Sequence, residues 1–329
     1  MIFLRKTLYI VIALMLVLPA NAKKPQPKGT ASLSVEQQQQ FSYYWYAAKQ
    51  AIADQKYPEA LTLLEFCHAI NPNDGQTLTF LGVMYDGLGQ KERALETFRQ
   101  AFEADPKDQW YKYSLALLEQ RTEAGQKEAM KVLEQAHKVS KDNENLLEQL
   151  MRLYMSDGQW KKALKIQDEL DKINGYDAYS ALNRYRIYGM WGKPKQAIAA
   201  IDKYLENDPA NLQFLLFRLE VMERTNAKKE ELWPMYERIL AMDPTNIGVL
   251  NNYAYHMATH GGDLKKAEQM SAVTIREYPD SPVYLDTYGW ILHLQGQNDL
   301  ALFYLKRALD KASPETSKEI TEHIKQITK

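Results

Sequence analysis

Apolar residues recur at helical spacing along almost the whole chain, broken by short polar turns. No stretch alternates apolar with polar for long enough to argue for a strand. The pattern also repeats over a longer interval. Ala60, Ala94, Ala129, Ala163, Ala197, Leu232, Ala267 and Ala301 follow one another at steps of 34 or 35 residues. Seven residues after each stand Cys67, Ala101, Ala136, Leu170, Tyr204, Ile239, Thr274 and Ala308. Seven residues is about two helical turns, so both members of a pair share one helix face. Small side chains there let a neighbouring helix come close.

Punctuation supports the same division. Pro72, Pro106, Pro209, Pro244 and Pro279 close five units, in linkers reading NPND, DPKD, DPAN, DPTN and YPDS. Proline stops one helix, and the Asn or Asp after it can cap the next. Glycines fall inside most units, at Gly89, Gly125, Gly158, Gly192, Gly261-Gly262 and Gly296, and predict tight turns. Each unit therefore reads helix, turn, helix, linker. The spacing places units at 41–72, 75–106, 109–141, 144–175, 178–209, 212–244, 247–279 and 282–313.

The second unit carries Leu81-Gly82, Tyr85, Ala94, Phe98, Ala101 and Pro106, and the last carries Tyr288-Gly289-Trp290, Ala301, Leu305 and Ala308. This set resembles the tetratricopeptide repeat (TPR) in its small and large packing residues, its spacing and its final proline. The resemblance implies an all-α fold, a right-handed superhelical solenoid of about eight helix-turn-helix units over residues 41–314. Residues 315–329, with Ile320, Ile324 and Ile327 along one face, read as a capping helix, which an array needs to cover its last apolar face. The middle departs from the pattern. Tyr185 stands where a small first-helix residue is usual, Tyr204 and Leu232 replace alanines, and Pro234 follows soon after. Larger residues at close-contact positions predict helices pushed apart and altered curvature. Pro234 predicts a second helix that starts late or kinks.

Composition and charge narrow the function. Lys and Arg number 41 against 42 Asp and Glu, which excludes a chain built mainly to coat phosphate backbone, so no nucleic-acid partner is expected. One cysteine excludes an intramolecular disulfide framework and a thiolate metal cage. Cys67 sits at a packing position and reads as a buried structural thiol. The basic Arg5-Lys6, the apolar stretch from Leu8 to Leu18, and Ala20-Asn21-Ala22 predict a signal peptide over residues 1–22. Its removal would leave a net charge of -3 and no membrane span, in a periplasmic or secreted protein. Residues 23–40 are polar and read as a flexible lead-in, with Gln37 to Gln40 the solvated start of the first helix.

The family resemblance implies that extended peptides or partner helices dock on the concave wall made by the first helices. Helical spacing places Trp45, Lys49, Trp110, Tyr113, Arg152, Arg186, Asn251, Tyr255 and Trp290 on that wall, with Thr79, Val83, Glu148, Asn183, Asp286 and His293 beside them. Trp and Tyr give large contact area at little entropic cost. The competing reading is that such aromatics pack between neighbouring helices. The spaced Lys, Arg and Asn set with which some family members clamp a C-terminal carboxylate is missing, because Lys49 is followed by Val83.

His256 and His260 share a helix face, but no glutamate stands beside the first, so the hydrolytic zinc motif lacks its base. With no phosphate loop and no serine elbow either, the expectation is a scaffold of the cell envelope that binds protein or peptide, is not an enzyme, and uses no cofactor and no metal. A carbohydrate-binding or hydrolytic protein with an aromatic groove is the alternative. Self-association through the first unit is a third reading.

Overall fold

The computed structural model describes residues 33–328, so the predicted signal peptide and most of the polar lead-in lie outside the described residues. Among the described residues there are seventeen helices and no strand. The chain divides into two compact bodies, with the division between Ser180 and Ala181.

The first body holds α1 (Val35–Ala53), α2 (Tyr57–Ile70), α3 (Gly75–Gly87), α4 (Lys91–Ala104), α5 (Trp110–Glu119), α6 (Glu123–Val139), α7 (Glu144–Ser156) and α8 (Trp160–Asn174). Helix α1 begins inside the polar stretch 23–40 because Ser34 and Gln37 form a capping box. The Ser34 hydroxyl accepts from the Gln37 amide at 3.2 Å, and the Gln37 side chain accepts from the Ser34 amide at 2.9 Å. Asp74 and Asn143 cap α3 and α7 in the same manner on one side, accepting from Thr77 and Leu146. The repeated small residues are the contact points of the helix pairs. Ala60, Ala94, Ala129 and Ala163 are all buried, as are Cys67, Ala101 and Ala136.

One expected glycine turn is corrected. Gly125 lies inside α6, and the residue that turns the chain there is Arg121, at φ +51°. A Cβ on Gly125 would collide with the Leu117 carbonyl oxygen, so this glycine serves a close approach of α6 to α5. Gln55, at φ +63°, does for the first pair what Gly89 and Gly158 do for the second and fourth.

The second body holds α9, whose span Ala178–Met190 begins at the division, then α10 (Pro194–Leu205), α11 (Leu212–Arg224), α12 (Lys229–Met242), α13 (Ile247–Thr259), α14 (Leu264–Glu277), α15 (Pro282–Leu294), α16 (Asn298–Lys311) and α17 (Ser317–Thr328). Asn211 and Asn246 cap α11 and α13, as the linker prolines suggested. Ala197, Leu232, Ala267 and Ala301 are buried, whereas Tyr204 is half-buried and lies 4.2 Å, ring to ring, from Phe214.

The expected late start of α12 is corrected. The helix runs from Lys229 with Pro234 inside it and begins at the same offset from its contact residue as α14 and α16 do. The proline gives up one backbone bond, and burial of Leu232, Met235, Tyr236 and Ile239 holds the helix against that loss. Helices α11 and α12 share a smaller contact than α15 and α16, and Leu232 is buried within it. At the C-terminus, Ile320 of α17 joins Leu285, Leu305 and Ala308 in a buried cluster, with Ile324 and Ile327 packed against it.

Candidate functional site

First-helix residues of the first body take up different environments. Trp45 is half-buried and meets Phe80 edge-on at 5.2 Å, and the Lys49 ammonium lies 5.8 Å from the centre of the Tyr46 ring. Arg152 is exposed and turns back on its own helix toward Glu148. Trp110 and Tyr113 are corrected from wall to core, at 4% and 7% exposure. Tyr113 packs on Phe102 of α4, 5.8 Å between rings, so its ring fills the contact between α4 and α5. The first body therefore offers separated polar and aromatic points rather than one continuous aromatic wall.

In the second body, residues from α11, α12 and α13 surround a groove of about 370 Å³. Its floor is a hydrogen-bonded set. Tyr236 donates to Glu223 at 2.6 Å, Asn252 donates to the same carboxylate oxygen at 3.2 Å, and Tyr236 stacks on Tyr253 at 4.8 Å. Burial, then the bond to Glu223, pushes the Tyr236 phenol far up, so it stays a donor.

Two imidazoles form the rim. Trp233 donates its indole N–H to Nδ1 of His256 at 2.8 Å, which places the His256 proton on Nε2. His260 caps the end of α13, with its Nδ1 3.0 Å from the His256 carbonyl, and the two rings stack at 3.9 Å. Burial, then the neighbouring His260, holds the His256 pKa below its usual value. The groove thus presents oriented donors and acceptors, and its one carboxylate is already engaged by two donors.

Of the predicted residues, Tyr255 lines this groove, Asn251 is buried at 4% exposure and is not among the lining residues, and Arg186 is exposed on α9. Asn251 is thereby corrected from a ligand contact to a buried residue, since the side chain that reaches the groove is its neighbour Asn252. Tyr255 donates to Glu319 of α17 at 3.3 Å, and Trp290 stacks on His323 of α17 at 4.2 Å, so these two predicted residues meet the last helix. Glu223, Tyr236, Asn252 and His256 were not singled out as groove residues. For Glu223 and Tyr236 the departure of their unit from the usual packing residues, at Leu232 and Pro234, was the available signal.

Comparison with known proteins agrees with this architecture. Residues 51–118 and residues 192–247 each match a family profile described as tetratricopeptide repeat. A TPR repeat-containing protein, PA4667 of Pseudomonas aeruginosa, is 28% identical over 117 residues, which is 36% of this chain and 20% of that protein. The matched stretch therefore spans about a fifth of that relative's length. Among solved structures, the C-terminal part of a TPR repeat-containing protein from Cytophaga hutchinsonii superposes with a TM-score of 0.54 at 16% identity. The match covers 75% of this chain and 98% of that one. The Naa15/Naa10 structure bound to HypK-THB superposes with a TM-score of 0.62 at 15% identity, over 87% of this chain and 46% of that one.

Both matched stretches of the chain are tetratricopeptide repeats. Tetratricopeptide arrays are, as a rule, interaction scaffolds rather than catalysts. The repeat pattern also accounts for the helix contacts. Phe98 of α4 and Leu305 of α16 lie against Gly82 and Gly289, where a Cβ would come within 2.5 Å of the Phe98 ring and 2.8 Å of Leu305. Among the described residues, no helix is long and apolar enough to cross a membrane.

Proposed function

We propose that this tetratricopeptide chain is a non-enzymatic scaffold that binds a protein or peptide, with the α11–α13 groove as a docking point. The observation that carries the reading is the preset polar floor of that groove. Glu223, Tyr236 and Asn252 are held to one another before any partner arrives, and the Nε2–H of His256 is aimed by Trp233. A floor ordered in advance lowers the entropic cost of binding. Tyr255 and Asn252 then offer stacking area and amide bonding to an extended segment.

Selection of peptides from a displayed library by the full chain tests this, followed by calorimetry on wild type, Asn252→Ala and Tyr255→Ala. Enriched peptides should bind wild type and lose at least about tenfold in affinity to each variant. Equal affinity for all three proteins would refute the groove as the docking point.

The wider setting belongs to the same proposal. Residues 1–22 direct export, and the mature chain works in the cell envelope or outside the cell. Fractionation and N-terminal sequencing of the mature protein check the export step, with a first residue of Lys23 expected.

A further inference from the structure

Helix α17 does more than cover apolar surface. Glu319 and His323 are four residues apart and so share one face of it. Across from them stands Asp286 of α15. One carboxylate oxygen from each acid and one ring nitrogen of His323 all lie within 4.8 Å of one another. Asp286 and His323 are each 7% exposed, and Glu319 is open to solvent.

We propose that Asp286, Glu319 and His323 form a divalent-metal site of the zinc class that fastens α17 to α15. The donor set is one imidazole nitrogen and two carboxylate oxygens. Magnesium and calcium favour all-oxygen shells, whereas imidazole with carboxylate suits zinc and its first-row neighbours. The spacing is suitable. His323 Nδ1 and Asp286 Oδ1 are 2.9 Å apart, and two ligands each about 2.1 Å from a metal sit about 3.0–3.4 Å from one another. A metal could thus take the place of the proton shared by Asp286 and His323, and the exposed Glu319 carboxylate, within 4.8 Å of them, would swing in to complete the set.

The surroundings match what metal ligands need. The Trp290 ring stacks on His323 with 19° between planes and fixes the imidazole. Tyr255 donates to Glu319 at 3.3 Å and orients that carboxylate, as outer partners of metal ligands do. Among the described residues neither carboxylate is paired with a lysine or arginine, so two negative charges converge where one of them is buried. A buried carboxylate is costly unless its charge is met. Protonated His323 could meet Asp286 alone, and it would leave Glu319 unanswered; a divalent cation meets both. The exposure of Glu319 leaves the outer coordination positions to water.

Zinc titration of the metal-stripped full chain by calorimetry decides the matter, in parallel with Glu319→Gln, His323→Gln and, as a control, His260→Gln. Wild type should take up one saturable zinc ion, magnesium at equal concentration should give no comparable heat, and zinc should raise Tm. Affinity should fall at least about tenfold in Glu319→Gln and in His323→Gln and stay unchanged in His260→Gln. Circular dichroism checks that each variant keeps its helices. Should His323→Gln fail to fold, Glu319→Gln carries the decision, because its side chain is exposed. Absence of saturable zinc in wild type overturns the proposal, as does unchanged affinity in Glu319→Gln, equal affinity for magnesium, or loss of zinc in His260→Gln.

Discussion

The α3/α4 pair and the α11/α12 pair follow the same helix-turn-helix plan and solve its central contact in opposite ways. In α3/α4 the facing residues are Gly82 and Ala94, and the helices approach until Phe98 lies against the bare glycine backbone. In α11/α12 the corresponding residues are Glu220 and Leu232, and the two helices share a smaller contact. Glu220 accepts from Tyr185 at 2.9 Å, and Glu223, Leu232 and Tyr236 of this pair help to line the groove. Sequences that break a local packing rule tend to do so where something else is needed. The looser pair trades helix contact for a surface.

The contrast can be broken most forcefully at its contact residues. Leu232→Ala should destabilise the second body by about 2–5 kcal/mol in chemical denaturation, because Leu232 is buried in the contact and its truncation leaves a cavity. If the family-typical alanine were neutral or stabilising there, the two pairs would not differ in the way described. The reciprocal Ala94→Leu should cost about 1–3 kcal/mol by overfilling a tight contact.

A smaller effect separates the two regions by pH. The folded pKa of His256 lies below its unfolded value, so the fold favours the neutral ring. Stability from this group is present above about pH 6.5, where neither state is protonated, and is lost below it as the pH falls toward and through the lower folded pKa, the unfolded chain taking up the proton first. His256→Asn keeps an acceptor for Trp233 and should flatten the decline in stability between pH 7 and pH 5. An unchanged slope would assign the acid sensitivity elsewhere. The smallest expected effect lies at the turns. Arg121→Gly should raise stability by about 0.5–1 kcal/mol, since a left-handed conformation strains any residue with a Cβ. Thermal melts can resolve the sign.

The helix pairs were legible in the sequence because one physical need recurs at every contact. A small residue near the start of the second helix marks it in seven of the eight units, and burial of Ala60, Ala94, Ala129, Ala163, Ala197, Ala267 and Ala301 follows from it. The turn at Arg121 was not legible, since a glycine four residues later drew the turn to itself although it serves a close approach.

The site was legible only in part. Trp110, Tyr113 and Asn251 have the same helical spacing as Tyr255 and Trp290, and spacing along one helix does not say which neighbour covers a face. The metal-type cluster joins Asp286 to residues 33 and 37 positions later, on a helix whose isoleucines already explained its presence. A pattern of apolar positions accounts for a helix without revealing what its polar edge touches.

Cys67 is buried between α1 and α2, with its sulfur 3.9 Å from the Phe41 carbonyl oxygen. Burial, then the charge of Asp74, pushes its thiol up to about 11. At neutral pH almost no thiolate forms, so oxidants and alkylating reagents find no nucleophile while the hairpin is shut. Its rate of labelling therefore counts the openings of the array's leading edge, and the chain carries its own clock for fraying at that end.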